Sequence, residues 1–137
     1  MTAISVAATG FETTQLLGDP GRGIAVLVDP PANPGPWLLE AARQDLRIRH
    51  VILTGQVDPN LLGYRGVIAE TGAQLYLGGP LECDLPALRL IAGDVLEFGC
   101  LRITIEHAGP HAVQLCLSCT NKSVRECTSV FTNDAPR

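Results

Sequence analysis

The stretch that most limits what this chain can become is HVILTGQVDPNLLG, residues 50–63. Residues 50–53 read as a buried strand. A loop follows, and Asn60 is a fitting N-cap for a helix that opens there. A strand that runs into a loop and then a helix is the arrangement in which α/β proteins commonly place their chemistry. Leu61, Tyr64, Val67, Ile68 and Thr71 recur at overlapping i, i+3 and i+4 positions, and Gly72 stands where a left-handed C-cap is expected, so the helix spans about 60–71.

The rest of the chain extends this pattern on both sides. Residues 1–23 read as one or two edge strands closed by the turn cluster GDPGRG. IAVLV, residues 24–28, is a continuous apolar run suited to an interior strand. After it, Pro36 falls in the first turn of a helix over 37–44, whose apolar face is Trp37, Leu38, Ala41, Ala42 and Leu46. Trp37 reads as a core anchor. Residues 74–77 form the next strand. Beyond Leu81 the alternation of helix and strand stops, and strands follow alone: 87–91, the turn and β edge at 93–99, LRITIEH at 101–107 with clean period-2 alternation, 112–118 and 127–133. The expectation is one domain over 1–137, an α/β (α+β layered) fold with a mixed sheet carrying both helices on one face.

Composition narrows the function classes. Hydrophobic residues make up 46% of the 137 residues, which supports a globular chain over a disordered one. A net charge of −4 argues against a nucleic-acid partner, which favours a basic patch. No apolar run approaches the ~18 residues of a membrane span, and no Lys or Arg precedes Arg22, so a secretory leader is not expected. A cytoplasmic location is the default. There the five cysteines are expected to be reduced. Cys116, Cys119 and Cys127 give C-x2-C-x7-C, which lacks a fourth ligand at finger spacing; packing is the plainer reading, and thiol chemistry at Cys116 and Cys119 the sharper one.

Several segments together resemble the metallo-β-lactamase superfamily. The loop after the strand corresponds to that family's T-H-x-H-x-D-H metal-binding pattern. Thr54 matches, and the metal-ligand positions fall on Gly55, Val57, Pro59 and Asn60. VLVDPP (26–31), TGAQLYLG (71–78), GDVLEFGCLRITIEHAGPHA (93–112) and VFTND (130–134) are similar to further segments of the family in the same order. The branch they resemble is that of glyoxalase II and the persulfide dioxygenases. The resemblance implies a metallo-β-lactamase-like half, or shortened αββα sandwich, without the C-terminal part of the family fold.

The resemblance also implies what is missing. Gly, Val, Pro and Asn at the loop positions offer no side chain suited to zinc or iron. His111 falls on a family metal histidine and Asp134 on the bridging carboxylate, whereas the plainer readings are a strand-capping histidine and a solvated acid. Asp58 is one residue out of register and reads as a turn with Pro59. Thr54, Gln56 and Asp58 remain as binding-loop candidates. His50 precedes the strand and His107 ends one, neither with a partner at ligand spacing.

Three functions compete. One is a catalytically degenerate protein, with no cofactor expected, acting as a binding, interaction or assembly subunit. Another is a metal-dependent hydrolase or persulfide dioxygenase-like enzyme with an altered zinc or iron site. The third is thiol chemistry. A half-sandwich is expected to leave apolar sheet surface near Ile103, Ile105, Leu115, Leu117, Val130 and Phe131, and so to form a homodimer or dock on a larger protein.

Overall fold

The computed structural model describes residues 4–6, 14–107, 112–119 and 128–129. The chain enters through β1 (Ile4–Val6), β2 (Gln15–Asp19) and β3 (Ile24–Val28), which pair antiparallel. Helix α1 (Gly35–Arg43) crosses to β4 (Arg47–Leu53), and helix α2 (Tyr64–Thr71) crosses to β5 (Gln74–Gly78). Each crossover sets the next strand parallel to the last, and β6 (Ala87–Leu90) adds to the same edge. The result is a six-stranded mixed sheet in the order β1-β2-β3-β4-β5-β6. Residues 50–53 and 74–77 lie side by side in it, as the sequence reading requires.

The remaining strands do not extend this sheet. β7 (Val95–Phe98), β8 (Leu101–His107), β9 (Val113–Cys119) and β10 (Thr128–Ser129) form a separate antiparallel sheet, ordered β10-β9-β8-β7. The core is accordingly split. Leu16, Ala25, Leu27, Val51, Leu53, Leu75 and Leu77 pack under the helices with Trp37, Ala41, Tyr64 and Val67. Leu17, Val26, Val28, Ile52 and Tyr76 face the other way and pack against Leu101, Ile103, Ile105, Val113 and Leu115. Helices, sheet and second sheet thus make three layers. Runs such as IAVLV are apolar without alternation because strands of the middle layer are buried on both faces.

Three sequence-level expectations are corrected. The helix does not open at Asn60. Residues Pro59–Leu61 form one 3-10 turn, and Leu62 is extended in a bridge to Pro31. Gly63, whose amide donates to the Pro30 carbonyl at 2.9 Å, is then the N-cap of α2. Leu61, expected on the buried helix face, is consequently exposed. His50 neither precedes its strand nor opens it, because β4 already begins at Arg47. It sits within β4, stacked on Phe98 with ring centroids 3.7 Å apart, with Nδ1 3.1 Å from the Tyr76 hydroxyl oxygen. Finally, Ile103, Ile105 and Leu115 are not on an open face, because each is at most 1% exposed between the two sheets. The side chain of Leu117, and Val130 and Phe131, lie outside the described residues. Among the described residues, no helix is long and apolar enough to cross a membrane.

Candidate functional site

The parallel strands β3, β4 and β5 end together, and the loop 54–60 leaves from their C-terminal edge. Asp29, the first residue past β3, organises it. It is fully buried and takes a left-handed backbone, φ 47°. One carboxylate oxygen accepts the Thr54 amide at 2.9 Å and the other accepts the Thr54 hydroxyl at 2.7 Å. The Thr14 hydroxyl donates to the Asp29 carbonyl at 2.6 Å. Two donors facing two carboxylate oxygens tie the end of β3 to the end of β4.

Bonding continues outward from Thr54. Its hydroxyl oxygen accepts the Gln56 amide at 3.1 Å, and its carbonyl accepts the Val113 amide at 2.9 Å. The Gln56 side-chain amide donates to the Val113 carbonyl at 3.0 Å. The loop is therefore clasped to the start of β9 in the second sheet. At its far end the Asp58 carboxylate accepts the Asn60 amide at 3.0 Å, the turn role that the Asp-Pro pair suggests.

Gly78, at the end of β5, makes the junction possible. A Cβ there would run into the Val113 Cγ2 methyl and lie 3.1 Å from the carbonyl oxygens of Leu53 and Thr54. Gly78→Ala is expected to destabilise the fold by about 1–3 kcal/mol through overpacking. In urea denaturation, Val113→Ala in the same chain should recover part of that loss. A non-interacting pair of effects would refute the contact.

The sequence-predicted residues separate on this frame. Thr54, Gln56 and Asp58 are together in the loop, each committed to backbone or carboxylate bonds. Gly55, Val57, Pro59 and Asn60, the positions that the resemblance assigns to metal ligands, carry no carboxylate, imidazole or thiolate. Gly55 adopts φ 87°, so a side chain placed there would strain the loop as it is built. Among the described residues, no group of three or more His, Cys, Asp and Glu side chains is placed to hold a metal ion. The loop as it stands does not fit zinc or iron. His111 and Asp134 lie outside the described residues. Cys116 and Cys119 lie on β9, where Cys116 pairs in register with Thr104 and Cys119 with Leu101; their side chains are not described. Sequence reasoning missed Asp29 as the organiser of the site. The available signal was an acid placed directly behind five apolar strand residues.

The three layers and a loop at the C-terminal edge of parallel strands define a class, and solved structures supply its name. A metallo-β-lactamase from Staphylococcus aureus subsp. aureus COL superposes with a TM-score of 0.72 at 18% identity, covering 85% of this chain and 39% of that one. ETHE1 from Myxococcus xanthus superposes with a TM-score of 0.69 at 21% identity, covering 85% of this chain and 54% of that one. The class B3 di-zinc metallo-β-lactamase LRA-12, from an Alaskan soil metagenome, gives 0.62 at 10% identity, covering 81% and 52%. This chain has the metallo-β-lactamase fold, and it spans from 39% to 54% of the length of those three proteins. No family model and no curated protein matches the sequence.

Proposed function

We propose that this chain is a metal-free relative of the metallo-β-lactamases that acts as a binding or assembly subunit, in a homo-oligomer or docked on a larger protein. The observation that carries this reading is the loop 54–60, where non-ligand residues occupy the metal positions. A catalytic zinc site uses three protein ligands and a water that the metal acidifies. The loop supplies no such set, and the Asp58 carboxylate is engaged in capping. Support for assembly comes from the side where both sheets end. β6 and β7 are terminal strands joined by a short turn, and Leu88, Ile91 and Val95 are 54%, 62% and 45% exposed there. Terminal strands offer unpaired backbone groups to another chain.

Protein purified without a histidine tag should contain far less than one equivalent of zinc or iron by elemental analysis. It should sediment as a dimer, or bind a partner, at micromolar concentration. Stoichiometric zinc or iron that disappears in His111→Ala would overturn the reading and leave a hydrolase or persulfide dioxygenase-like enzyme in its place.

A further inference from the structure

Strand β4 carries a bulge. Ala25 of β3 pairs with Ile48 and Val26 with His50, so Arg49 is an extra residue in the ladder. Ile48 and Val51 both pack on the helix side of the sheet, at an odd spacing that strand alternation alone forbids. The extra residue turns His50 to the other side, the side of Ile52, where it meets the second sheet. Its imidazole stacks on Phe98 of β7, with planes 12° apart. Its Nδ1 approaches the hydroxyl of Tyr76, which is itself buried and tilted against Phe98 with centroids 5.9 Å apart. Three rings thus close the seam between the sheets, and His50 is the one that titrates near neutrality.

The surroundings favour the neutral ring. Val26, its partner on β3, is apolar, and Gln74, its partner on β5, donates its side-chain amide to the Leu75 carbonyl. On β7, Glu97 alternates to the face opposite Phe98 and pairs with Arg102 of β8. Asp19 and Arg22, near the β7–β8 turn, pair with each other. Among the described residues no carboxylate acts on His50; the charge that does is that of Arg49, a cation. Burial, and then Arg49, hold the imidazole pKa below the ordinary 6.5. The Tyr76 hydroxyl can accept as well as donate, so it serves either form of the ring. The Phe98 face attracts a cation, but a cation stacked there gives up hydration on that side.

We infer that His50 is an acid-sensitive latch between the two sheets: the neutral ring holds β7 against β4, and the imidazolium leaves the seam for water and frees β7. His50 and Phe98 are both half-buried, so the ring has a path to solvent. The closed form, with its lowered pKa, carries fewer protons than the open form. The latch is therefore fully closed above pH 6.5 and weakens as pH falls from there through the His50 pKa. It stands whichever way the metal and assembly experiments fall.

The test is amide hydrogen exchange of the intact chain from about pH 8 to about pH 5, corrected for intrinsic rates, beside an NMR titration of the His50 ring protons. Protection of the Val95–Phe98 amides should fall severalfold across that range, with a midpoint that follows the His50 titration. His50→Phe keeps a ring against Phe98, and His50→Gln keeps a partner for the Tyr76 hydroxyl. Neither titrates, so in both the protection of β7 should be flat with pH, whatever its absolute level. A His50 pKa at or above 6.5, β7 protection in the wild type that does not change with pH, or the same loss of protection in both His50 variants would each overturn the proposal. The wild-type titration needs no variant, so a substitution that fails to fold leaves the test intact.

Discussion

Replacing Asp29 by alanine should destabilise the protein by about 4 kcal/mol, the largest loss expected from any single change at the strand ends. Each hydrogen bond to a charged group contributes roughly 1.5–3 kcal/mol. Among its described bonds Asp29 accepts the Thr54 amide and hydroxyl, with no exposure to water that could replace them. Its left-handed backbone, φ 47°, adds about 1–2 kcal/mol for a residue whose side chain cannot bond locally. Asp29→Asn keeps the shape and one acceptor, and should cost about half as much. Urea denaturation at constant m-value measures both. A loss below about 1 kcal/mol in Asp29→Ala would mean that the loop is not held through this carboxylate.

Asp19 should come next, with a loss of about 3 kcal/mol in Asp19→Ala at neutral pH. Its fully buried carboxylate accepts the Cys100 amide at 2.8 Å, the Gly21 amide at 3.1 Å and the Arg22 guanidinium at 3.2 Å. The bond to Cys100 joins the β2–β3 turn of one sheet to the β7–β8 turn of the other. Arg22 is mostly exposed, so its share is small. The alanine variant strands the Cys100 amide without its acceptor.

The same carboxylate sets a pH dependence. Burial pushes the Asp19 pKa up, but the Cys100 amide and the Arg22 guanidinium outweigh it and leave it below the ordinary value of 3.8. A depressed folded-state pKa means a contribution that is fully present above the unfolded value and is lost as pH falls through the folded one. Wild-type stability should therefore fall as pH drops below 3.8, and Asp19→Asn should be weaker at pH 7 yet flatter across that acid range. Parallel acid profiles for the two proteins would refute this assignment.

Much of the architecture was legible in the chain. Strands 24–28, 50–53, 74–77 and 101–107, the two crossover helices, Trp37 as a buried anchor and Gly72 as a left-handed cap all follow from local features. Apolar period, helix-stop glycine and turn proline act over a few residues, and the sequence displays them directly. The absence of metal-ligating side chains at Gly55, Val57, Pro59 and Asn60 is equally a property of the letters.

What was not legible depends on partners far away in the chain. Asp29 and Thr54 are separated by 25 positions, Gln56 and Val113 by 57, and Asp19 and Cys100 by 81. Nothing local marks those pairs. Tertiary pairing also moved the start of α2 to Tyr64, with Gly63 as its N-cap, because Leu62 is held extended against Pro31. A one-residue bulge at Arg49 shifted which β4 side chains share a face, since strand alternation has a period of two. The meander became a second sheet that covers Ile103, Ile105 and Leu115. By itself the sequence determined which segments are strands and helices and which loop positions lack metal ligands, because those are properties of neighbouring residues. Only the tertiary structure decided that the strands form two sheets and that the loop is braced through Asp29, because burial and hydrogen bonding are settled between segments the sequence keeps apart.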